Sequence, residues 1–291
     1  MDFDQDGPSW PHHERSRLVH AAGLRWHVQA WPRPHGARHE VLLLHGTGSS
    51  THSWRDVAPR LAEHAGVWAL DLPGHGFSAA APEALGSLPG MARGIRALLQ
   101  ELGAAPQWLV GHSAGAAVAV QMALDDPRRL RGIVSLNGAL VPLAGPHFAF
   151  FSPLARLLAL NPLVPRVVAW QGAHAGLAAR LLDSTGSVLD PAGRRLYERL
   201  VSDPAHVRGA LAMMARWDLH ALQALLGDLG VPLHLVTGSR DATVPPADAV
   251  RVQARVRGAR LTSLPGLGHL AHEERPAEVS RMILALMEGE G

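Results

Sequence analysis

Gly111-His112-Ser113-Ala114-Gly115 constrains this chain more than any other segment, because it lies between the apolar run Trp108 to Val110 and the alanine-rich stretch Ala114 to Leu124. A serine with glycine two positions before and two after, a strand pattern upstream and a helix pattern downstream reads as a tight strand-to-helix turn. Larger residues at the bracketing positions would collide with the turn's own backbone. The same tightness leaves the serine Oγ in the open, with the N-terminus of the following helix aimed at whatever reacts there.

The rest of the chain supplies a sheet to carry that turn. Val41 to Leu44, Val67 to Leu70, Trp108 to Val110, Ile133 to Leu136, Leu233 to Val236 and Leu261 to Leu264 are short apolar runs, bounded for the most part by Gly, Asp, Asn or Pro. Between them, Met91 to Leu102 and Ala114 to Leu124 place apolar residues at helical spacing, as does Val279 to Met287 at the end. Strands alternating with helices predict a mostly parallel sheet with helices on both faces, an α/β class. Leu24 to Val28 alternates and is expected to pair antiparallel with Arg17 to His20 at one edge. Val250 to Val256 alternates like a strand, but Pro245-Pro246 suits a helix start and chain order demands a crossover there, so a helix is expected.

From Asn137 to Leu233 about 95 residues pass without a clear strand, too many for one crossover loop. Helical candidates within them are Pro153 to Leu160, Val164 to Gln171, Ala175 to Leu182, Ala192 to Val201 and His206 to Leu226. An inserted helical cap over residues 140–228 is expected, on a core made of residues 1–139 and 229–291.

The pI near 10.2 invites a nucleic-acid reading. Yet 27 basic side chains face 25 acidic ones, with no lysine, no cysteine and Tyr197 as the single tyrosine. Almost nothing then titrates between about pH 8 and 12, and a surplus of two charges suffices to raise the pI. Arginines are scattered rather than clustered, so no nucleic-acid partner is expected. Without cysteine there is no disulfide framework or thiolate zinc site, which fits a reducing compartment. The N-terminus is acidic and lacks the apolar stretch of a secretory signal, so a cytoplasmic protein is expected. Gly132 to Ala155 runs 24 residues without Asp, Glu, Lys or Arg, but its prolines argue against a membrane span. Peripheral contact of an apolar surface with a membrane stays open. The 18 histidines form neither H-E-x-x-H nor a His and carboxylate cluster away from the serine chemistry, so neither metal nor cofactor is expected.

A serine hydroxyl needs a base, and the base an orienting acid. After the strand Leu233 to Val236 comes Thr237-Gly238-Ser239-Arg240-Asp241, and after Leu261 to Leu264 comes Gly266-Leu267-Gly268-His269. The order Ser113, Asp241, His269 gives nucleophile, acid and base. His272 is the competing base. The competing acid position, after the strand ending at Leu136, holds Asn137, which cannot stabilise an imidazolium as a carboxylate does. Two backbone N–H groups would complete the site by holding an oxyanion: that of Ala114, and that of Thr47 in the loop His45-Gly46-Thr47-Gly48. His45, Asp71, His75 and Ser78 read as loop-shaping. Substrate-binding candidates are His112, Asn137 and the apolar residues Phe148, Phe151, Trp170, Met214 and Trp217, which suit a large, flat apolar ligand or a long acyl chain.

Together these motifs resemble the α/β-hydrolase superfamily with a helical cap, over nearly the whole chain. Trp10-Pro11-His12, Leu136 to Leu140, Phe151 to Pro162, Met213 to Leu219 and Gly266 to Glu274 further resemble the magnesium-chelatase accessory proteins of bacteriochlorophyll biosynthesis. That resemblance implies a phototrophic bacterium, a tetrapyrrole ligand and magnesium chelatase as a partner. Ester hydrolysis is the leading expectation. Carbon–carbon bond hydrolysis by the same triad, and non-catalytic carriage of a porphyrin to the chelatase, are its alternatives.

Overall fold

Val41, Leu42, Leu43 and Leu44 are all completely buried, yet they divide by parity: Val41 and Leu43 pack in one apolar cluster, Leu42 and Leu44 in another. Successive side chains of a strand point to opposite faces, so a strand apolar at every position must be covered on both. A computed structural model, which describes residues 1–142, 161 and 163–289, shows this arrangement.

Eight strands form one sheet: β1 (Ser16–Ala21), β2 (Leu24–Trp31), β3 (Glu40–Leu44), β4 (Gly66–Leu70), β5 (Trp108–His112), β6 (Gly132–Leu136), β7 (Leu233–Gly238) and β8 (Arg260–Leu264), in the order β1-β2-β4-β3-β5-β6-β7-β8. β1 and β2 pair antiparallel with each other and β2 antiparallel with β4, while β3 to β8 run parallel. The helices, in chain order, are α1 (Phe3–Asp6), α2 (Ala58–Ala62), α3 (Leu88–Leu102), α4 (Ala114–Asp125), α5 (Val164–His174), α6 (Leu177–Asp183), α7 (Pro191–Val201), α8 (Pro204–Arg216), α9 (His220–Leu225), α10 (Pro246–Gln253), α11 (Ala271–Glu274) and α12 (Pro276–Glu288). Met91, Ile95 and Leu98 of α3, with α4 and Val252 of α10, cover one face of the sheet; Leu61 of α2 and Val279 and Ile283 of α12 cover the other.

The edge hairpin, the parallel centre and the helix at Pro246–Gln253 stand as the sequence reads. One helix does not. The expected His206 to Leu226 breaks at Trp217, whose backbone is extended (φ −79°, ψ 116°), and restarts where the Asp218 carboxylate accepts the His220 N–H at 2.8 Å. α5 to α9 form the insertion between β6 and β7 and sit over the carboxyl edge of the sheet. The expected helix Pro153 to Leu160 lies outside the described residues.

Candidate active site

At the end of β5 the chain turns into α4 through Ser113, which holds φ 52° and ψ −118°, a conformation that L-residues rarely adopt. The strain is held from several sides. The Ser113 N–H donates to Leu136 O at 3.0 Å, and its carbonyl accepts the N–H groups of Ala116 and Ala139, each at 3.1 Å. Gly115 packs against the carbonyl oxygens of Leu44 and His45, and Gly111 against the backbone of Ala116, too close for any Cβ. Close backbone approach is what requires glycine at both positions.

Asp241 follows β7 and His269 follows β8. His269 Nδ1–H donates to Asp241 Oδ2 at 2.8 Å. The other carboxylate oxygen, Oδ1, accepts the N–H groups of Thr243 and Val244, each at 2.8 Å. These bonds fix the carboxylate in one orientation and leave His269 Nε2 as the free ring nitrogen. Ser113 and His269 line one cavity of about 720 Å³. Among the hydrogen bonds of the described residues, none joins Ser113 Oγ to His269 Nε2. Such contacts are often long before substrate arrives.

Thr47 and Ala114 line the same cavity. Neither backbone N–H donates to another group among the described residues. Two imidazoles hold the loop around Thr47. Leu72 N–H donates to His45 Nε2 at 2.9 Å, which places the His45 proton on Nδ1, facing Gly46 O at 2.7 Å. Gly76 N–H donates to His206 Nδ1 at 3.0 Å, and His206 Nε2–H donates to Gly48 O at 3.2 Å. Burial pushes His45 below the ordinary histidine range and His206 down to about 4. Both are therefore neutral bridges.

His112 is buried, donates from Nε2 to His269 O at 2.9 Å and borders the cavity. Burial, with His272 and His269 nearby, holds it well below the usual range. His272, the rival base, is wholly buried and donates from Nε2 to Ser53 Oγ at 2.8 Å; it meets no aspartate and does not reach the cavity. Ser53 Oγ–H and Tyr197 O–H both donate to Glu273 Oε1, at 2.6 and 2.7 Å, and Arg55 pairs with Oε2 at 3.1 Å. Asp71 is buried against His27 (2.7 Å) and accepts the N–H groups of Thr51 and Phe77, at 2.7 and 2.9 Å.

Met214 and Trp217 line the cavity. Phe148 and Phe151 lie outside the described residues. Two candidates are placed elsewhere. Trp170 is 60% exposed and stacks on His174, because it sits two residues, about 200° of helix rotation, past the cavity-lining Val168. Asn137 is buried behind the cavity wall: with φ 49° it donates from Nδ2 to Asp241 Oδ2 at 2.7 Å, so it holds the carboxylate rather than a ligand. Sequence reasoning missed His206, and also the turn Thr185-Gly186-Ser187. There, Thr185 O accepts the His269 N–H (3.1 Å) and Ser187 Oγ accepts the Leu270 N–H (2.8 Å). Glu274 accepts the Gly268 N–H at 2.7 Å, next to His269.

The family described as the alpha/beta hydrolase fold matches residues 40–276, most of the chain. A magnesium-chelatase 30 kDa subunit from Rhodobacter capsulatus is 37% identical over 97% of this chain and 97% of its own. The chain belongs to the α/β-hydrolase family and groups with that subunit. More distantly, a pimeloyl-[acyl-carrier protein] methyl ester esterase from Aeromonas hydrophila is 28% identical over 84% of this chain and 93% of its own. The enol-lactonase of Burkholderia xenovorans LB400 shares the fold, with a TM-score of 0.77 at 20% identity, over 94% of this chain and all of that one. No helix among the described residues is long and apolar enough to cross a membrane.

Proposed function

We propose that this protein is a serine hydrolase acting on an ester of a bulky apolar substrate. The observation that carries the reading is the placing of the strained Ser113 and the Asp241-anchored His269 on one cavity. In the proposed reaction Ser113 Oγ attacks the ester carbonyl as its proton passes to His269 Nε2. The negative charge that develops on the carbonyl oxygen is met by the N–H groups of Thr47 and Ala114, which have no partner among the described residues to give up. Collapse expels the alcohol, which takes the proton from His269 and leaves an acyl-Ser113. Water then attacks that ester, His269 takes its proton and returns it to Ser113 Oγ, and the acid departs. Asp241 stabilises the imidazolium at both stages.

Helices α5 to α9 act as a cap in this reading. Val168, Leu182, Leu211, Met214 and Trp217 give the cavity an apolar wall, and its volume accepts a ligand far larger than a simple ester. Kinship with the Rhodobacter capsulatus subunit supports a tetrapyrrole substrate and work alongside magnesium chelatase. The same kinship supports one second reading: a porphyrin carrier for the chelatase that retains the fold without the chemistry.

Fluorophosphonate labelling located by peptide mass spectrometry, with ester turnover measured alongside, separates the two. Hydrolysis predicts an adduct on Ser113 that Ser113→Ala and His269→Ala both remove, and a loss of at least about a thousandfold in turnover for Ser113→Ala. Folded protein that stays unlabelled, with porphyrin binding unchanged in Ser113→Ala, would overturn it in favour of carriage.

A further inference from the structure

Helix α8 has two wet sides. His206, Val207, Ala210, Leu211 and Met214 face the cavity that holds Ser113 and His269. Ala205, Arg208, Gly209, Ala212, Met213 and Arg216, spaced at 3, 4, 7, 8 and 11 residues from the first, form the opposite stripe and line a second cavity of about 420 Å³. Across from this stripe the second cavity is walled by Arg25 of β2, the Pro73 to Ala81 loop and Met91 of α3. The helix sits close to that loop because Gly209 packs on the backbone of Gly74, at φ +81°, where a Cβ on Gly74 would come within 2.9 Å of Gly209 Cα.

The chemistry of the second cavity is one-sided. Ala79, Ala80 and Ala81 of the loop and Ala205 and Ala212 of α8 supply accessible apolar surface over the buried Phe77, Met91 and Met213, and Arg25, Arg208 and Arg216 stand exposed around it. Among the described residues, no Asp or Glu lines it. None of the three guanidinium groups makes an ion pair or hydrogen bond among the described residues. The nearest acid on α8, Asp203 at its start, is already taken by the Met1 amine (2.9 Å) and the His206 N–H (2.7 Å). Arg208 and Arg216 lie eight residues apart, about 12 Å along the helix axis at their Cα atoms, and both line this cavity.

We propose that this cavity is a binding site for an amphipathic anion, its apolar body against Ala79 to Ala81 and the Ala205 and Ala212 side of α8, and its carboxylate or phosphate group on the rim of Arg25, Arg208 and Arg216. Guanidinium groups hold both kinds of anion in bidentate fashion. Met213 accepts a hydrogen bond from Thr47 Oγ1 at 3.5 Å, and His206, which borders both cavities, holds Gly48 O. An occupant therefore touches the residues that seat the Thr47 loop. The site stands on its own residues, whether or not Ser113 is a nucleophile.

Calorimetric titration of the full chain with octanoate, octyl phosphate, octanol and inorganic phosphate tests it. At least one of the two amphipathic anions should bind about tenfold or more tighter than octanol, and inorganic phosphate alone should bind weakly for want of an apolar body. A preference for octanoate assigns a carboxylate ligand, one for octyl phosphate a phosphate ligand. The advantage over octanol should vanish in Arg208→Gln/Arg216→Gln and shrink in Arg25→Gln, all exposed positions whose replacement leaves thermal unfolding in place. It should persist in Ala210→Phe, which narrows only the other cavity. Equal binding of octanol and the anions, an anion preference that survives both arginine variants, or its loss in Ala210→Phe would overturn the proposal.

Discussion

Lowering the pH from 7 to 5 is expected to destabilise this fold by roughly 4 kcal/mol through two histidines alone. Burial lowers His206 to about 4 and His272 to about 3. In the unfolded chain each returns to about 6.5. At pH 5 both are almost wholly neutral in the folded protein and almost wholly protonated in the unfolded one. The unfolded state therefore binds more protons, and stability falls with falling pH, from about 6.5 until the folded values are reached. Each group contributes about 2 kcal/mol over those two pH units. His45, His52, His75 and His112 are shifted the same way by burial and add to the loss. Glu273, raised by burial, works against it by taking up a proton in the folded state first. Asp71, held low by His27 and by its N–H donors, loses its contribution only at more acidic pH, outside this window.

Urea unfolding followed by tryptophan fluorescence at pH 7, 6 and 5 measures the effect, with the slope against urea unchanged if the two end states are unchanged. His206→Gln keeps an acceptor for Gly76 N–H and a donor for Gly48 O but cannot titrate in this range, and should flatten the profile by roughly 2 kcal/mol. A wild-type stability constant to within about 1 kcal/mol between pH 7 and 5, with His206→Gln showing the same profile, would refute the reasoning.

Two substitutions probe the site's supports. Asn137→Asp would set a second carboxylate 2.7 Å from Asp241 Oδ2, where like charges cannot both persist; ester turnover should fall at least about tenfold at neutral pH, with a displaced pH–rate profile. Tyr197→Phe removes one donor from buried Glu273, which keeps Ser53 and Arg55, and should lower stability by about 1–2 kcal/mol in urea unfolding while the overall circular dichroism is unchanged.

The Ser113 turn was legible because steric demand acts locally: only glycine fits at 111 and 115, so the pattern is written in five consecutive residues. Asp241 and His269 could be found because each closes an apolar strand, and chain order then places them. What the sequence could not reveal depends on contacts between distant segments. Asn137 and Asp241 lie 104 residues apart and meet through the register of β6 on β7, Leu136 opposite Val236. Trp170 needed the rotational phase of α5, and a stretch apolar on several sides does not state its phase. The break at Trp217 did carry a sign, since Asp218 is a good helix start, but the apolar spacing on either side masked it.

The same physics explains why so many histidines are buried near the carboxyl edge of this sheet. Loops that leave parallel strands expose N–H and C=O groups that water cannot reach once helices cover them. A neutral imidazole accepts on one side and donates on the other across some 5 Å, with no charge to desolvate. His45 joins Leu72 to Gly46 in this way, and His206 joins Gly76 to Gly48 across the boundary with the insertion. Arginine would carry an unpaired charge into the same places, and asparagine has a shorter reach. A protonated His206 Nδ1 has no lone pair left for Gly76, so acid attacks the seat of α8 and the Thr47 loop together. The bridges that hold the candidate site at neutral pH are thus among the groups through which the fold loses stability toward pH 5, while the bridge at His206 itself is protonated in the folded protein only near pH 4; ion pairs in the same positions would show no such loss of stability there.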